Sequence, residues 1–79
     1  RKGRLVELSI VVDDTPGNLN RLTKVIADLG ANVLEVHHDR ISQGLFLRET
    51  RIEFVLETTS PEHIKQIKDA LEKVGGRIL

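Results

Sequence analysis

The chain has 79 residues, no cysteine, and twelve basic residues that balance twelve acidic ones. A chain this short supports one small core and not two. The lack of cysteine excludes a disulfide framework, a zinc–thiolate site and a thiol nucleophile, and the balanced charge excludes a large net field for nucleic acid or an anionic membrane.

No apolar run approaches the roughly 18 residues that a membrane span needs. No segment reads as a signal peptide, and the expected location is the cytoplasm. The chain opens Arg1-Lys2-Gly3 and contains no Met, so it is expected to be a piece of a longer protein. Residues 1–79 are read as a single domain.

Residues 4–12 read as a strand. Val6, Leu8, Ile10 and Val12 share one face at period two, and Leu5, Glu7, Ser9 and Val11 share a mixed, half-solvated face. Asp13-Asp14-Thr15-Pro16-Gly17 ends it and starts a helix. Thr15 is the expected N-cap, with Pro16 at the first helical position. Leu19, Leu22, Val25, Ile26 and Leu29 form its apolar stripe, and Asn18, Arg21, Lys24 and Asp28 face away. Gly30 is the expected left-handed stop.

Residues 32–41 read as a second strand. Leu34, Val36 and His38 are in phase, with Val33, Glu35, His37 and Asp39 opposite. That phase is uneven enough to suggest a bulge. Ser42-Gln43-Gly44 marks a turn, and Leu45-Phe46-Leu47 reads either as hairpin or as an apolar loop. Residues 49–58 form a third strand, with Ile52, Phe54 and Leu56 inward and Arg51, Glu53, Val55 and Glu57 outward. Ser60-Pro61-Glu62 repeats the cap-plus-Pro signal. Ile64, Ile67, Leu71 and Val74 give the second helical stripe, and Gly75-Gly76 stops it. Arg77-Ile78-Leu79 reads as a fourth strand.

The order β-α-β-β-α-β, with short right-handed connections, gives an α+β ferredoxin-like sandwich. Its four-stranded sheet is antiparallel, with both helices on one face. The second and fourth strands are its edges. An unpaired second-strand edge invites pairing with a twin, so a homodimer or higher homo-oligomer is expected.

No catalytic residue is assigned. No Ser-His-Asp arrangement can be read from the sequence, no phosphate loop or H-E-x-x-H is present, and nearly all the carboxylates fall on predicted wet faces. His37-His38-Asp39 invites a metal reading. Adjacent strand residues point to opposite faces, so the two His cannot chelate one ion together. Glu35, His37 and Asp39 do share a face, but no metal is assigned to them. His63, in a first helical turn, is expected to be exposed. Phe46 and Phe54 are the only aromatics, too few for a base-stacking sheet, and no nucleic-acid or membrane partner is expected. The segment Asp14-Thr15-Pro16-Gly17-Asn18 remains. It sets free N–H groups at a positive helix end, and Gly17 allows close approach. Such a place suits a carboxylate; the alternative is a plain capped helix start.

At these residues the chain resembles the ACT domain family. The motif is a strand, Asp14-x-Pro16-Gly17-x-Leu19, a helix, then Gly30-Ala31-Asn32-Val33. The resemblance implies a regulatory module of amino-acid metabolism that pairs side by side and binds an amino acid between subunits. Asp14, Thr15, Gly17, Asn18 and Leu19 would then line one side, and Asn32 and Val33 of the twin the other.

Residues 30–40, from Gly30 to Arg40, with a hairpin ending Glu57-Thr58, resemble more narrowly the C-terminal ACT domain of threonine dehydratases (threonine ammonia-lyases). This implies an allosteric effector such as isoleucine or valine, and a catalytic domain in the parent chain that holds PLP. No cofactor is expected in this chain, and no lyase activity by itself. A structural ACT-like dimerisation domain without ligand is the alternative. An acylphosphatase-like hydrolase on the same fold would need an Arg–phosphate cradle, and the first loop is acidic instead.

Overall fold

The computed structural model describes residues 4–41 and 49–79. The expectation for Leu45, Phe46 and Leu47 lies outside them. Along the chain run β1 (Arg4–Asp13), α1 (Asn18–Asp28), β2 (Asn32–Ile41), β3 (Glu49–Thr58), α2 (Pro61–Lys73) and β4 (Arg77–Ile78). The sheet order is β2-β3-β1-β4, and every pairing is antiparallel. This is the expected ferredoxin-like topology, with β2 and β4 at the edges.

The core lies between the sheet and the helices. Leu8, Ile10 and Val12 of β1 meet Ile52, Phe54 and Leu56 of β3, and above them pack Leu22 and Ile26 of α1 and Ile67 and Leu71 of α2. Each such side chain contributes about 1.5–3 kcal/mol on full burial. Strict alternation in β3, inward at even numbers, places Thr50 and Thr58 at the ends of the buried row. Their hydroxyls donate to the carbonyls of Asp39 (3.0 Å) and Arg4 (3.3 Å), which satisfies them inside the protein. Val11 departs from the expected half-solvated face, with only 5% of its surface exposed. Its cross-strand neighbours are Arg51 and Arg77, and long Arg stems shield apolar surface.

The start of α1 differs from the sequence expectation. Its N-cap is Gly17, not Thr15, and no side chain caps it. Gly17 has φ 91° and ψ −11°. That is close to the third position of a type II turn, about +80° and 0°, with Pro favoured at the second. The turn Thr15-Pro16-Gly17-Asn18 is closed by the Asn18 N–H donating to the Thr15 carbonyl at 3.3 Å. Pro followed by Gly is therefore a turn here, and the helix begins after it. At the other end, Gly30 takes φ 86°. The Gly30 N–H reaches the Ala27 carbonyl and the Ala31 N–H the Ile26 carbonyl, the paired bonds of a Schellman stop.

The suggested bulge in β2 is present, and it corrects the strand's phase. Val33 pairs with Leu56 and Glu35 with Val55, so Leu34 is the extra residue. Val33 therefore joins Val36 and His38 on the helix side, and Leu34 is left 50% exposed. α2 starts as expected: Ser60 accepts from the His63 N–H at 3.1 Å, with Pro61 in the first position. His63 itself is buried at 8% exposure, contrary to expectation. Partners for both ring nitrogens make that burial tolerable. Among the described residues no helix is long and apolar enough to cross a membrane.

Candidate ligand cleft at the start of α1

The segment between β1 and α1 folds over the end of the sheet and leaves a cleft of about 460 Å³. Asp13, Asp14, Thr15, Pro16, Gly17, Asn18 and Leu19 form its roof, and His38 of β2 with Thr50 and Ile52 of β3 form its floor. β1 brings the acidic pair to the rim because the strand ends at Asp13. The Pro-Gly turn then leads into the first turn of α1, whose Asn18 and Leu19 line the cleft. That turn has no side-chain cap, so its N–H groups keep a partial positive charge without a side-chain acceptor.

Five of the residues expected at a ligand site come together here: Asp14, Thr15, Gly17, Asn18 and Leu19. Their roles differ. Asn18 is a strut: its Nδ2 donates to the Asp13 carbonyl at 2.6 Å and to Thr15 Oγ1 at 2.9 Å. Its Oδ1 accepts from Arg21 Nη1 at 3.0 Å. These bonds hold the turn closed and leave the amide little capacity for a ligand. Asn32 and Val33 do not line the cleft. Within one chain they sit at the opposite end of the sheet, opposite Glu57 and Leu56, whereas Asp13 lies opposite Glu49. Asn32 Nδ2 donates to Glu57 Oε1 at 3.2 Å.

Sequence reasoning did not assign His38, Thr50 or Ile52 to the site. A signal existed for His38, which follows Val36 in the apolar phase of β2. Thr50 likewise occupies an inward position of β3. The Glu35-His37-Asp39 row lies on the opposite, uncovered face. There Glu35 Oε1 lies 3.1 Å from His37 Nε2, and Asp39 Oδ2 accepts from Arg51 Nη2 at 3.4 Å. Among the described residues, no group of three or more His, Asp or Glu is placed to hold a metal ion.

A one-faced βαββαβ sandwich with a polar cleft at the first helix defines a small ferredoxin-like domain. The ACT domain family model matches residues 6–76. An L-threonine ammonia-lyase of Geobacter sulfurreducens is 40% identical over 73 residues, which are 92% of this chain and 18% of that protein. One from Thermotoga maritima is 38% identical over 75 residues, 95% of this chain and 19% of its own. The fold of the ACT domain from the GTP pyrophosphokinase of Chlorobium tepidum superposes with a TM-score of 0.74 at 20% identity, covering 99% of this chain and all of that one. The chain belongs to the ACT domain family. It spans less than a fifth of the length of the two ammonia-lyases it matches.

Proposed function

We propose that this chain is the allosteric, amino-acid-binding domain of a threonine ammonia-lyase-like enzyme. The observation that carries the reading is the cleft, in which an uncapped helix start faces carboxylates at its rim. An α-amino acid is complementary to that arrangement. Its carboxylate suits the first-turn N–H groups of α1, and its ammonium suits Asp13 and Asp14. Its side chain would extend from the roof, past Leu19, toward the floor. Isoleucine and valine, expected from the resemblance, stand with threonine and serine as candidates.

The β2 edge has no strand partner among the described residues over its ten positions. Pairing with the β2 of a second copy would continue the sheet and bring Asn32 and Val33 of the twin toward the site. An effector that prefers one arrangement of the paired domains would shift attached catalytic domains toward it by linkage. PLP, which would supply the electron sink for deamination, is assigned to that catalytic part; no residue of this chain is assigned to it. The exposed edge also favours a second reading, a pairing module without ligand.

Isothermal titration of the purified chain with the four amino acids, alongside its mass in solution, separates the two. Saturable binding of one ligand per subunit by a dimer supports the allosteric reading. A dimer that binds none of them leaves the pairing module. A monomer would sink both.

A further inference from the structure

We propose that His38 makes the cleft selective for a β-hydroxy α-amino acid over an apolar one of the same size. This rests on the amino-acid-binding reading above and deepens it. The inward side of β2 reads Val33, Val36, His38, and these pair with Leu56, Phe54 and Ile52. Val36 is already 38% exposed and His38 is exposed too, so this row leaves the core as it nears the cleft, and an apolar residue at the third position would still cover part of Ile52. The sequence instead places an exposed imidazole there, on the cleft floor below the β1–α1 segment and three rungs before the β2–β3 pairing ends at Ile41 and Glu49.

The ring of His38 differs from the other two. His37 is paired with Glu35 at 3.1 Å. His63 has partners on both nitrogens, at 3.0 and 2.7 Å. His38 makes no hydrogen bond or ion pair among the described residues, yet it lines the cleft. Beside it Thr50 donates its hydroxyl to the Asp39 carbonyl and keeps a lone pair to accept with.

The floor thus carries an uncommitted imidazole and an acceptor oxygen next to Ile52. A hydroxyl, which donates and accepts in one group, is complementary to both. With the ligand's carboxylate and ammonium held at the roof, its side chain is the part left to meet this floor. The carboxylates of Asp13 and Asp14 at the rim disfavour an acidic side chain.

Threonine and valine are isosteres that differ by hydroxyl against methyl, and they form the probe pair. In titrations of the purified chain, threonine is expected to bind about tenfold more tightly than valine, the effect of one hydrogen bond at a partly wet site. His38→Ala should reduce that ratio to near one. His38→Gln, whose amide reaches a similar position, should restore part of it. Valine binding as tightly as threonine to the unaltered chain overturns this proposal and leaves amino-acid binding intact. A ratio unchanged in His38→Ala overturns it as well. Binding of neither threonine, serine, valine nor isoleucine overturns the amino-acid-binding reading and this proposal together.

Discussion

His63 Nε2 lies 2.7 Å from the carbonyl oxygen of Leu29, across the two helices. The tautomer follows from the other side of the ring. The Thr59 N–H can only donate, and it points at Nδ1 at 3.0 Å. Nδ1 is therefore the bare nitrogen, and Nε2 carries the proton given to Leu29. The imidazole ties the end of α1 to the start of α2. Replacing it with Ala would leave the part-buried Leu29 carbonyl without its donor and the Thr59 N–H without its ring acceptor. His63→Ala is expected to lose about 1–3 kcal/mol of stability in urea denaturation. A loss within error of zero would show that water replaces the ring at no cost.

Gly17 is a test of the turn rather than of packing. A Cβ built there meets nothing within 4 Å, so only the backbone resists. Gly17→Ala is expected to lower stability by about 1–2 kcal/mol, the penalty for an L-residue at positive φ. An unchanged denaturation midpoint would mean that the chain does not hold the left-handed turn in solution.

Asn18 supports a sharper comparison. Its Nδ2 donates to Asp13 and Thr15, and its Oδ1 accepts from Arg21. Asn18→Asp keeps the acceptor, removes both donors and adds charge beside Asp13. Asn18→Ala, which removes donors and acceptor together, should destabilise by about 0.5–1.5 kcal/mol per hydrogen bond lost, and Asn18→Asp by less, since the helix end and Arg21 favour its charge. If Asn18→Ala is as stable as the unaltered chain, the strut is not needed and the amide is available to a ligand.

Much of the fold was legible because its signals are local and redundant. Phe54 and Ile52 alternate with charged residues, and Ser60-Pro61 caps α2 as its types dictate. The failures share a cause. Pro16 could open a helix or a turn, and Gly17 decided between them only through a left-handed φ. Val33 and Leu34 exchanged faces because a bulge is a property of the β2–β3 pair and not of β2 alone. His63 was expected in solvent because its two partners, Leu29 and Thr59, come from separate places in the chain. At the site, the roof residues were visible as a contiguous motif. His38 and Thr50 were not, because only the sheet brings them under residues nineteen or more positions away.

Leu34 separates pairing of the chain from its stability. It is the bulge residue of an edge strand and half exposed. Leu34→Lys is expected to change the stability of the single chain by no more than about 0.5 kcal/mol, and to weaken association through β2, since edge Lys blocks strand addition. Sedimentation should show the variant's mass falling toward one chain at a concentration where the unaltered protein is paired. Equal masses would place the contact elsewhere.

The strand order also bears on how the cleft comes into being. β1 is central, and both of its neighbours, β3 and β4, lie later in the chain. Its pairing with β3 joins residues as far apart as Arg4 and Thr58. The roof hangs from the end of β1, and the floor is drawn from β2 and β3, so no hairpin or helix contains the cleft on its own. During synthesis the cleft cannot exist until β3 has emerged. In the finished domain its floor cannot be lost while the sheet stays whole. Anything that settles there is coupled to unfolding of the sheet as a unit, and should slow hydrogen exchange at the far end of β1 as well as beside itself.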